Sequence, residues 1–74
     1  DNNDVRKLQL FLAQDRTIYP EGITSGYFGT LTERAVQNWQ SRHGVISYGT
    51  PAGTGYGAVG PKTRNAMENA CGSG

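Results

Sequence analysis

The stretch that decides the fold is GYFGTLTERAV at residues 26–36, because a related stretch, GAVGPKTRNAM, stands 31 residues later at residues 57–67. Both fit the pattern Gly-x-(Phe/Val)-Gly-x-x-Thr-x-x-Ala-(Val/Met). A self-similarity with a period of about 20 to 50 residues is typical of duplicated supersecondary units. The sequence therefore predicts one loop-helix unit that is used twice.

Each position of this unit has a physical role. Gly26 permits a tight bend, and Phe28 then enters the core ahead of the helix. Gly29 stands at the helix N-cap, and the hydroxyl of Thr32 lies where it can meet unpaired N–H groups of the first turn. Ala35 allows another helix to approach closely. The same roles apply 31 residues further on.

Apolar periodicity predicts three helices, from about Asn3 to Gln14, from Thr30 to His43 and from Pro61 to Cys71. Thr30 and Glu33 match a capping box, with Leu31 on the apolar face of the second helix. Gly44 is the expected left-handed residue just past the end of that helix. The fold class is therefore all-α, a small three-helix bundle with a duplicated loop-helix repeat and long glycine-rich loops.

Most residues of the helical pattern are predicted to build the core. The expected core residues are Leu8, Leu12, Phe28, Ala35, Val36, Trp39, Val59, Ala66 and Met67. The polar face of the second helix is expected to include Arg34, Gln37 and Gln40. Gln9 and Gln40 have two equally weighted interpretations, as buried amides that bond loop backbone or as ligand contacts.

Composition excludes several classes of function. The 74 residues carry 7 Lys+Arg against 6 Asp+Glu, and this net charge of +1 lacks the basic excess of a nucleic-acid binder. No segment approaches the roughly 20 apolar residues of a membrane span. One cysteine, Cys71, and one histidine, His43, are too few for a structural zinc site with about four N/S ligands. We expect no metal and no cofactor.

Three motifs in order give the chain a family resemblance. Residues 5–12, VRKLQLFL, fit V-x-x-L-Q-x-x-L, and residues 26–44 fit G-x-F-G-x-x-T-x-x-A-V-x-x-F-Q-x-x-x-G with Trp39 in place of Phe. Residues 57–63 fit G-x-V-G-x-x-T. From Val5 to Ala70 the chain resembles the bacterial peptidoglycan-binding domain, a three-helix module attached to many cell-wall hydrolases. Ser25 and Tyr56 stand where that family often has Asp.

The resemblance implies a non-catalytic module that binds the glycan or peptide stem of peptidoglycan. It implies a monomer within a larger secreted or surface protein, at an extracellular or periplasmic, wall-associated location. Residues 1–71 would form the domain and residues 72–74 a tail or linker. The alternative is a protein-interaction, scaffold or pro-segment-like module on the same fold. The same fold resembles the pro-segment of matrix metalloproteinases, which contains a cysteine motif. Around Cys71 this sequence matches that motif only in the pair Cys-Gly.

The expected binding site is a shallow groove near the repeated loops. A tyrosine offers an apolar ring with a hydroxyl, which suits ligands rich in amides and sugars, and Arg34 could meet a stem carboxylate. The candidate ligand-binding residues are Tyr19, Tyr27, Arg34, Gln40, Tyr48 and Tyr56.

Catalysis is not expected of this chain. His43 stands at the end of the second helix, where a favourable interaction with the helix dipole accounts for its presence. Cys71 lacks a recognisable base that would activate it. The carboxylates are spread over polar segments without the paired arrangement that glycoside hydrolysis requires.

Overall fold

The computed structural model describes residues 2–72, with side chains for residues 3–70, and it contains three helices and no strand within that range. Helix α1 spans Asn2–Ala13, α2 spans Thr30–Arg42 and α3 spans Pro61–Gly72. The all-α, three-helix prediction is confirmed. The predictions about the Cys71 side chain and residues 73–74 lie outside the described part.

The core lies around α2. It receives side chains from all three helices and from the first loop, residues 14–29. Ile18 and Tyr19 belong to it, although neither was among the core residues predicted from the sequence. Leu8, Val59 and Ala66 are partly buried against it. The buried hydrophobic residues are Leu12, Ile18, Tyr19, Ala35, Val36, Trp39 and Met67.

Two apolar residues of the repeated stretch lie at the surface. Phe28 was predicted in the core and Leu31 on the apolar face of α2, but their exposed fractions are 37% and 36%. Phe28 stays exposed because it borders an open groove between α1 and α3. Leu31 borders a smaller hollow on another side of the first loop.

The two ends of α2 follow different rules. Gly29 is its N-cap and no side chain caps it, so the capping box predicted for Thr30 and Glu33 is wrong. At the other end Gly44 adopts a φ of +69°, as predicted. The N–H of Val45 donates to the Gln40 carbonyl at 2.8 Å, and that of Gly44 to the Ser41 carbonyl at 3.2 Å. These are the two hydrogen bonds of a Schellman motif.

A buried glutamine fixes the first loop to α1. The Oε1 atom of Gln9 accepts the N–H of Gly26 at 2.9 Å. Its Nε2 atom donates to the Tyr27 carbonyl and to Oγ1 of Thr32, both at 3.0 Å. The Thr32 hydroxyl therefore accepts from this amide and does not serve the helix N–H groups as expected.

Gln40 makes the equivalent hydrogen bonds to the second loop. Its Oε1 accepts the Gly57 N–H at 2.8 Å, and its Nε2 donates to the Ala58 carbonyl at 3.0 Å and to Thr63 Oγ1 at 2.9 Å. The sequence separations of 17, 18 and 23 residues equal those made by Gln9. Both side chains are buried, so their interpretation as buried amides that bond loop backbone is confirmed, and placing Gln40 on the polar face of α2 was wrong. We name these two sets of bonds the glutamine clamps.

The second clamp is open to a stability test. Gln40→Ala removes the partners of a buried N–H and of buried oxygen atoms, so we expect the free energy of unfolding to fall by about 2–4 kcal/mol. Urea denaturation followed by circular dichroism measures it. The exposed Gln14→Ala is the control and should change stability by no more than about 0.5 kcal/mol. Equal effects of the two changes would contradict a structural role for the clamp.

A second prediction concerns the bend at Gly57. Its φ is +96°, and a Cβ there would lie 2.8 Å from Cγ of Glu33. Gly57→Ala should therefore lower the free energy of unfolding by about 1–3 kcal/mol. Gly60→Ala is the matched control, since a Cβ at Gly60 meets nothing within 4 Å. Thermal denaturation of both variants checks the difference, and equal melting temperatures would refute it.

Candidate functional site

The described residues form an open groove with a volume of about 680 Å³. Helix α1 forms one side and α3 the other, while the repeated loops supply Phe28 and Val59 at equivalent positions. We call this feature the α1/α3 groove. Its lining residues are Asp4, Val5, Lys7, Leu8, Phe11, Phe28, Val59, Arg64, Met67 and Glu68.

The glutamine clamps place the loop residues of the groove. Each clamp fixes the backbone of the two residues that precede Phe28 or Val59. Because their main chains are anchored to buried amides, both apolar side chains reach the groove from fixed positions. Pre-positioned contacts of this kind reduce the entropy lost on binding.

Charges of both signs line the apolar groove. Lys7 and Asp4 lie on α1, and Arg64 and Glu68 lie on α3, all four with exposed side chains. An apolar surface with separate cationic and anionic groups suits a ligand that carries methyl groups, carboxylates and an amine. Arg64 provides the planar fork that binds a carboxylate with two hydrogen bonds.

A second, smaller hollow lies beside the first loop, the loop that carries Phe28, and has a volume of about 180 Å³. Tyr27 borders it with an exposed fraction of 76%, next to Ile23, which is 46% exposed. Leu31 from the first turn of α2 lies at its edge with Ser25 and adjoining residues. We call this feature the Tyr27 hollow.

The six candidate binding residues do not lie together. Tyr27 and Tyr19 both line the hollow, but Tyr19 is 1% exposed and its hydroxyl donates to the Ile23 carbonyl at 2.6 Å. Gln40 is occupied in its clamp. Arg34 is exposed on α2, and Tyr48 is 71% exposed in the second loop.

Tyr56 is half-buried, and its hydroxyl pairs with that of Ser41 at 3.2 Å. None of the six residues lines the α1/α3 groove. None of the residues that line this groove was therefore among the binding candidates predicted from the sequence. Charged residues flank the apolar positions of α1 and α3 in the sequence, and this pattern could have indicated the groove. It does so only when one knows that these two helices line the same groove.

His43, which was considered for catalysis, has a structural contact. His43 stacks on Trp39, with ring centroids 4.1 Å apart and planes 20° from parallel. Trp39 also contacts Phe11 at 5.9 Å between centroids, which connects the indole to a residue of the groove. Among the described residues no group of three His, Cys, Asp or Glu side chains could hold a metal ion.

A carboxylate away from the groove has a shifted pKa. The Thr17 hydroxyl donates to Asp15 at 2.6 Å and the Thr17 N–H at 2.9 Å, and Arg42 lies 3.6 Å from its second oxygen. The pKa of Asp15 lies below its ordinary 3.8. The largest cause is the hydrogen bond from the Thr17 hydroxyl, followed by the hydrogen bond from the Thr17 N–H and by the positive charge of Arg42. This cluster ties the first loop to the end of α2.

These observations define a small all-α domain that has an open amphipathic groove. The family model of peptidoglycan binding domains matches residues 1–67, so the chain belongs to this family. No curated protein and no solved structure matches the chain. Within the described range, each helix is too short or too polar to cross a membrane.

The buried position of Tyr19 generates a test. Tyr19→Phe leaves the Ile23 carbonyl without its donor, so the free energy of unfolding should fall by about 1 kcal/mol. Tyr48→Phe, at an exposed ring, should leave it unchanged. Urea denaturation compares the two variants. An unchanged free energy of unfolding in Tyr19→Phe would show that the Tyr19 hydroxyl does not stabilise the fold.

Proposed function

We propose that this domain is a non-catalytic module that binds bacterial peptidoglycan and targets a larger secreted or surface protein to the wall. Family membership supports peptidoglycan as the ligand. The single observation that supports the place of binding is the α1/α3 groove, with its apolar lining and its charges of both signs. The domain would act outside the cell membrane, at the wall.

The peptide stem is the part of peptidoglycan that this groove fits. A stem is a short chain rich in alanine methyl groups, and it ends in carboxylates while a diamino residue supplies an amine. Phe28 and Met67 would contact the methyl groups, Arg64 would bind a carboxylate and Glu68 the amine. Such an assignment gives the methyl groups, a carboxylate and the amine of the stem partners of complementary character.

Affinity at one open groove would be weak. Ligand sites that bind tightly enclose most of the ligand surface, whereas the α1/α3 groove leaves one side open to solvent. The wall is a polymer with a very high local density of stems, so a tethered domain rebinds before it diffuses away. Weak single contacts are therefore compatible with stable attachment of the parent protein.

Co-sedimentation with insoluble sacculi tests the proposal. The native domain should pellet with sacculi, and Phe28→Ala should weaken binding about tenfold because it removes an apolar contact from the groove. The control is Leu10→Ala on α1, since Leu10 is 54% exposed and lies outside the groove. Circular dichroism confirms that both variants are folded.

The outcomes separate the place of binding from the function. Pelleting that Phe28→Ala does not weaken would overturn the groove as the site while wall binding stands. A folded native domain that fails to pellet with sacculi from several wall types would overturn wall binding. That last result would favour the protein-interaction alternative.

A further inference from the structure

Consecutive residues of the first loop line different surface features. Phe28 borders the α1/α3 groove, whereas Tyr27 borders the Tyr27 hollow. The loop therefore forms a ridge with one aromatic ring on each side. A ligand that crosses this ridge would contact both rings.

Tyr27 is exposed but held in place. Its N–H donates to Oγ of Ser25 at 3.2 Å, and its carbonyl accepts from the buried Gln9 amide at 3.0 Å. Its ring rests against Gly29, where an added Cβ would lie 2.7 Å from ring atom Cε2. An aromatic ring with a fixed backbone and a supported edge is a preformed surface for stacking.

The hollow beside this ring has the size and the chemistry for one sugar. Its volume of about 180 Å³ is comparable to that of a single hexosamine ring. Ile23 and Leu31 add apolar surface, and Ser25 and Thr30 also border it. A pyranose has a C–H face that packs on an aromatic ring and hydroxyls that require polar partners at the edge, which matches this combination.

We infer that Tyr27 stacks on an N-acetylhexosamine of the glycan strand while the attached peptide stem lies in the α1/α3 groove. This inference rests on the proposed function. The ligand is then the junction between glycan and stem, and a free stem peptide fills only half of the site. The tyrosine thus contributes selectivity for a stem that is still attached to its sugar.

The experiment compares a disaccharide-tetrapeptide muropeptide with the free tetrapeptide, by NMR titration of the labelled domain. The native domain should bind the muropeptide about fivefold to tenfold more tightly than the peptide, since one stacked ring contributes on this scale. Tyr27→Ala should remove this preference and leave the affinity for the peptide unchanged. Phe28→Ala should weaken both ligands.

Gly29→Ala provides a second variant that keeps Tyr27 in the chain. The added methyl group collides with the end of a movable side chain, so the ring should shift while the domain stays folded. We expect this variant to lose the preference as Tyr27→Ala does. The matched control is Gly60→Ala, where a Cβ meets nothing within 4 Å, and it should behave as the native domain.

Three results would overturn the inference. Equal affinity of the native domain for muropeptide and free peptide would do so while leaving the proposed function intact, provided that the domain still pellets with sacculi. A Tyr27→Ala variant that weakens both ligands equally would also do so. A folded domain that binds neither soluble ligand nor sacculi would refute the proposed function and this inference together.

Discussion

The rest of the structure depends on two buried glutamine amides. A domain of this size buries too little apolar surface to hold long loops by packing alone. Gln9 and Gln40 each use both ends of the amide, so that one side chain satisfies a loop N–H, a loop carbonyl and the hydroxyl of the next helix. Each amide thereby joins one helix to the start of the following helix, and the loop between them acquires a fixed course.

This arrangement explains how a small domain can carry an open groove. The clamps fix the loops from within, so Phe28 and Val59 do not have to be buried completely to hold their segments. The side chains between α1 and α3 can then remain available to a ligand. Apolar surface left accessible in this way lowers stability, and the clamps offset that loss with hydrogen bonds that are shielded from water.

The loop at residues 26–29 connects the fold with the proposed binding surface. Gly26 provides the bend at a φ of +88°, the clamp fixes the backbone, and two aromatic rings emerge in succession. Gly29 then starts α2 and supports the Tyr27 ring. A repeated structural motif and the proposed binding surface thus occupy the same four residues, because a surface that must be rigid is most simply built where the chain is already held.

The sequence by itself determined the three helices, their ends to within one residue, the bends at the paired glycines and the resemblance to the family. These features are local, since they follow from helical periodicity and from the conformational freedom of glycine. Only the tertiary structure decided that Tyr19 is buried and Tyr27 exposed, that Gln40 lies in the interior, and that Phe28 borders a groove. Burial depends on residues distant in the chain, and neither periodicity nor composition records which helices face each other.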